Sequence, residues 1–205
     1  TTWGTMKKHT ISIFVIILLF TVPVFSQDFN ATLEEASTSY NSGDLENARF
    51  ALQRALQEIN QAIGAEILGV LPENLGGMEK ELDGDNVTGT NMGFAGLYVS
   101  RNYKGENRDA SVQIVSDSPM LAGINALLTM PVFMASDPNQ KRIKIDNYKA
   151  LMTKNESEEG HISYDVQMPF GSSLLTFNCN GIAEEKEVTK MLDEIPVSEI
   201  VKMAQ

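Results

Sequence analysis

Residues 161–178, HISYDVQMPFGSSLLTFN, carry the clearest alternation in the chain: Ile162, Tyr164, Val166 and Met168 are apolar, and His161, Ser163, Asp165 and Gln167 are polar. A period of two is that of a strand with one buried face. Pro169, Phe170 and Gly171 then supply a turn, and residues 172–178 place Leu175 and Phe177 on one face and Leu174 and Thr176 on the other. The pair predicts an antiparallel hairpin. A second hairpin is predicted upstream, where Leu97, Val99 and Tyr103 share a face, residues 104–107 turn, and Val112 and Ile114 share a face of the return strand. Two shorter strands, 141–145 and 148–153, flank Asp146 and Asn147.

The helical period takes over at both ends. Phe29, Leu33, Ala36 and Tyr40 recur at helical spacing, residues 41–44 predict a turn ending in the capping acid Asp44, and a second helix follows. In it Leu45, Ala48, Leu52, Ala55, Ile59 and Ala62 repeat at steps of three and four, and the alternation with alanine admits a close partner, which predicts an antiparallel αα-hairpin over residues 27–72. Its spacing resembles one tetratricopeptide repeat, but no second copy follows to stack on it. Residues 73–93, rich in Gly, Asn and Asp, predict a linker or irregular lead-in. Ser118 and Pro119 open a helix through Ile124, Leu127 and Leu128 that Pro131 ends. A last helix contains Val188, Met191 and Leu192, with Glu184, Glu185 and Glu187 at its start, before Pro196 interrupts it. The order of elements predicts an α+β domain over residues 94–205, a mainly antiparallel sheet with flanking helices, preceded by the αα-hairpin.

Ahead of these elements lies a stretch of different character. Met6, Lys7 and Lys8 precede an apolar run over residues 11–20 that continues raggedly to Phe25, and Val24 and Ser26 occupy the positions a signal peptidase reads. Residues 1–26 are therefore expected to be a cleavable signal peptide, with residues 1–5 upstream of the start, and the chain to be periplasmic or extracellular. Cleavage would leave no membrane span. It would remove two of the 16 basic side chains and none of the 27 acidic ones, so 14 − 27 = −13 replaces the formal net charge of −11. Such a surface disfavours nucleic acid and anionic lipid as partners. Cys179 is the single cysteine, so no intrachain disulfide forms, and its place beside the last strand predicts a small buried hydrophobe.

From residue 94 onward the chain resembles the broad PsbP/Mog1/DcrB-like group of exported bacterial α/β/α sandwiches. The resemblance is carried by VQIVSDSPMLAGINALL, the strand pair RIKIDNYKALM, the last hairpin and EVTKMLDEI. It implies a fold and an envelope location. It implies no site, because that group has no shared catalytic residues.

Candidate chemistry is sparse. His161 is the single histidine outside the leader, and Asp165, on the same strand face, lies about 13 Å away at strand rise, beyond hydrogen-bond reach. Asp83, Asp85 and Asn86 offer oxygen ligands around Gly84 but lack the spacing and closing glutamate of a calcium loop. Gly89, Gly93 and Gly96 lack the Lys-Ser or Lys-Thr of a phosphate loop. No catalytic residue, metal ligand or cofactor is assigned. The surfaces left for binding are the helical hairpin and the apolar segment that contains Leu127, Leu128, Met130, Phe133 and Met134. They point to a non-enzymatic module that binds a protein or a small apolar ligand, or pairs with a second copy through the hairpin. The alternative is a hydrolase using acidic residues, with or without a metal.

Overall fold

The computed structural model describes residues 25–89, 96–129 and 137–204. The leader expected over residues 1–26 lies, as far as residue 24, outside them. Two antiparallel helices come first, α1 (Phe25–Asn41) and α2 (Leu45–Val70). Gly43 turns the chain between them at φ +83°, a conformation that costs glycine little, and the Asp44 side chain then caps α2 by accepting the Asn47 N–H at 3.2 Å. Thr32 donates to Glu58 and Arg54 pairs with Glu35, which fixes the antiparallel register of the hairpin.

Behind the hairpin stands one antiparallel sheet. Its strands are β1 (Asn74–Leu75), β2 (Met78–Lys80), β3 (Asn86–Gly89), β4 (Leu97–Lys104), β5 (Asp109–Ser116), β6 (Gln140–Ile145), β7 (Tyr148–Glu156), β8 (Ile162–Phe170) and β9 (Ser173–Asn180). They run in the order β1-β2-β4-β5-β9-β8-β7-β6, with β3 also on β4. The fold class is thus α+β, as the hydrophobic pattern predicts. The alternation over residues 161–178 becomes β8 and β9 at the middle of the sheet. The strand extends further than expected, because Pro169 and Phe170 still pair with β9 and the turn falls at Gly171 and Ser172. Proline is tolerated there since the ladder to β7 ends at Gln167, so its missing N–H breaks no bond.

Register explains which face is buried. Val166 sits between Met152 of β7 and Phe177 of β9, and Phe177 faces Val112 of β5. All four are buried. Over this face pack Ile67 from the end of α2 and the following Leu71, then Val188, Met191 and Leu192 of α4 (Glu185–Asp193), and Val197, Ile200 and Val201 of α5 (Val197–Met203). The opposite face is partly covered by α3 (Leu121–Thr129), whose Ile124 and Leu128 close a small cluster on Leu151.

Of the stretch expected to be a linker, residues 73–93, the described part, which ends at Gly89, supplies three strands. Leu75 and Met78 are fully buried in the main core, and β2 and β3 both pair with β4. An Arg101 clamp holds this corner. Its guanidinium binds both carboxylate oxygens of Asp85, at 2.7 and 2.6 Å, and donates to the Leu71 carbonyl at 2.7 Å, while Tyr103 donates to the Pro72 carbonyl at 2.9 Å. The end of α2 is thereby fastened to the sheet.

Candidate functional site

Where α1 and α2 meet, the hairpin buries small residues and leaves large ones beside them outside. Ala48, Ala51 and Ala55 of α2 are buried toward α1, where Thr32 and Ala36 meet them. Leu45, Leu52 and Ile59, which the sequence pattern puts on the same seam as the alanines, are exposed, together with Leu56. The reason is geometric. Alanine lets two helix backbones approach closely, so α1 settles over the alanine row, and at 100° per residue the large side chains sit about a quarter turn further round.

Leu33 and Tyr40 lie about a quarter turn on from Thr32 and Ala36 in the same rotational sense. Because α1 and α2 run antiparallel, both quarter turns open toward the same side of the hairpin. The result is a single apolar face made of Leu33, Tyr40, Leu45, Leu52, Leu56 and Ile59, whose members are 39 to 68 % exposed. Along α2 the stripe continues through Ile63 to Ile67, which pack into the main core. One continuous stripe is therefore intramolecular core at its end and open surface at its start.

The residues proposed from sequence as a second binding segment divide. Leu128 is buried on Leu151 and Leu127 is partly buried beside it, its carbonyl accepting from the Arg142 guanidinium at 3.0 Å. Met130, Phe133 and Met134 lie outside the described residues.

The polar candidates do not converge. His161 precedes β8, is widely exposed, and has its Nε2 3.5 Å from the Glu159 carboxylate. It lines an open cleft of about 580 Å³ with Ser163, Asp109, Glu156 and Asn180. Asp109 accepts a hydrogen bond from Asn180 at 2.7 Å. Asp165 is not among the lining residues; it sits further along β8 between Thr153 and Asn178, where burial raises its carboxyl above the ordinary range. Asp85 gives both oxygens to Arg101, so a cation at Asp83, Asp85 and Asn86 would have to displace a guanidinium. Among the described residues no group of three or more His, Cys, Asp or Glu is placed to hold a metal ion. Cys179 is buried, and its thiol is pushed up to about 12 by that burial. A thiol so placed is a poor nucleophile.

The chemistry available at the apolar face is association rather than reaction. The signal for it was present in the sequence as two interleaved rows, one of alanines and one of leucines, on a single helix. Comparison of the chain with protein-family models, with curated proteins and with solved structures finds no match.

Proposed function

We propose that this chain is an exported, non-enzymatic interaction module whose contact surface is the apolar face of the α1–α2 hairpin. The observation that carries this reading is the row Leu45, Leu52, Leu56 and Ile59, left open to solvent with Leu33 and Tyr40 beside it. Contiguous apolar surface of this extent is a feature of association sites. Export rests on the leader-like composition of residues 1–26 and on the acidic balance of the remainder. Among the described residues no helix is long and apolar enough to cross a membrane.

Removing the hairpin is a poor test, because Ile67 and Leu71 would leave the core with it. The better experiment places a photo-crosslinking amino acid at Leu52 or Leu56 in the producing cell, with Lys144 on the sheet edge as control. Crosslinked species specific to the hairpin positions are expected. Crosslinking no greater at Leu52 and Leu56 than at Lys144 would refute the reading. Export is tested by the mass of the mature amino terminus, with cleavage after Ser26 expected.

The hydrolase alternative keeps one foothold, the desolvated carboxyl of Asp165. Stoichiometric metal in purified protein, or a hydrolytic activity lost in Asp165→Ala, would favour it.

A further inference from the structure

We infer that the occupant of the hairpin's apolar face is a second copy of this chain, docked about a two-fold axis to complete a four-helix bundle. The inference rests on the interaction-module reading above and commits it to one partner.

The spacing along α2 is the first argument. Leu45, Arg49, Leu52, Leu56 and Ile59 follow one another at alternating steps of four and three, up to the point where Ile63 turns into the chain's own core. That is the repeat of a helix–helix seam, with Leu45, Leu52 and Ile59 in one set of positions and Arg49 and Leu56 in the other. A groove for a small ligand has no need of such a repeat. The second argument is shape. The hairpin presents two helices side by side with their shared apolar face on one side, which is half of an antiparallel bundle, and a two-fold operation supplies the other half from the same residues.

Area is the third. The open parts of Leu33, Tyr40, Leu45, Leu52, Leu56 and Ile59 come to roughly 600 Å² per copy, so their complete burial in a pair would remove about 1,200 Å², which reaches the lower limit of a standard specific interface. Charge is the fourth. The chain as a whole is acidic, and two copies repel over most of their surface, yet the α2 row contains no acid and a single cation, Arg49. An antiparallel pairing that sets Leu52 of one copy against Leu56 of the other separates the two Arg49 side chains by about 15 Å along the axis. A lone charged residue in such a seam selects one register over its neighbours. Here it disfavours the parallel arrangement, in which the two guanidinium groups meet.

The test is sedimentation equilibrium on the purified full chain, compared with the variant Leu52→Glu, Leu56→Glu. The wild type is expected at twice the chain mass at tens of micromolar. The variant is expected at the monomer mass with a cooperative melting transition that no longer depends on protein concentration, because neither side chain belongs to the core and only the stabilisation by association is lost. A wild type that stays monomeric, or a variant that stays dimeric, overturns the inference. If the wild type is monomeric and yet crosslinks specifically from Leu52 and Leu56 to a different protein, the two-fold inference fails while the interaction-module reading stands.

Discussion

The Arg101 clamp makes a prediction with an unusual order of effects. The Arg101 side chain is 4 % exposed and that of Asp85 is 28 % exposed, so the two partners are not equally desolvated. Asp85→Ala removes the countercharge and leaves a guanidinium sealed in the protein beside two neutral groups, the Leu71 carbonyl and the Tyr103 phenol. Breaking a buried pair in this way costs about 3 to 5 kcal/mol. Arg101→Leu leaves the other half, but Asp85 stands at the rim and recovers water, and leucine fills part of the vacated volume. The loss is then chiefly the hydrogen bond to Leu71 and imperfect packing, about 1 to 2 kcal/mol. The double variant should resemble Arg101→Leu, since no unpaired cation remains. At about 2 to 4 °C per kcal/mol for a chain of this size, Asp85→Ala melts roughly 10 °C below wild type and Arg101→Leu roughly 5 °C below. Thermal unfolding followed by circular dichroism measures both melting temperatures, and urea denaturation measures the free energies. Arg101→Leu proving the more damaging would refute the assignment of the buried charge. The pH dependence supplies a second check. The hydrogen bond from Arg101 holds the Asp85 carboxyl below its ordinary range. Its contribution is therefore present above the unfolded value, near pH 4, and is lost as pH falls through the folded one, so wild type and Asp85→Ala should converge in acid.

Other expectations follow from single positions. Val166→Asp puts a carboxylate between Met152 and Phe177 at a site with no exposure, and should cost about 4 kcal/mol or more, enough to abolish a cooperative melting transition. Cys179 should resist alkylation at pH 8 in the native protein and react on unfolding; its raised folded pKa also means that the stability it contributes is present below about pH 8.5 and is lost as pH rises beyond. Tyr103→Phe removes the donor to Pro72 and should lower stability by about 1 kcal/mol in the same denaturation assay. Gly181→Ala should cost about 2 kcal/mol, because the residue sits at φ +75° and a Cβ would stand 2.3 Å from the Asn107 carbonyl oxygen.

What was legible in the sequence was whatever a local period could express. The hairpins of β4 with β5 and of β8 with β9 stand where the alternation of Val99, Val112, Val166 and Phe177 places them, since each strand pairs with its chain neighbour across a short turn. Non-local pairing was not legible. Nothing near Leu75 or Met78 announces that the stretch from Asn74 to Gly89 joins the sheet, because β1 and β2 are too short for a pattern; β2 owes its conformation to β4, and β1 owes its own to β2. Likewise the pairing of β5 with β9, across α3 and three intervening strands, is a property of the whole core. The hairpin face shows a third case. Its residues were visible, but the choice of which row meets α1 depends on how closely two backbones approach, and a list of apolar positions assigns leucine and alanine to one seam. His161 and Asp165 were separable from spacing alone, because strand rise is the same wherever the strand lies.

The outer edge of the sheet bears on how far association can go. An unpaired strand edge is a template for polymerisation, in which each added chain offers a fresh edge to the next. Strand β6 forms one such edge, and along it Lys141, Arg142 and Lys144 stand among its six residues, with Lys141 engaged by Glu185. A second copy brought in register against this strand would set like charges opposite one another. Growth by strand addition is thereby opposed at this end.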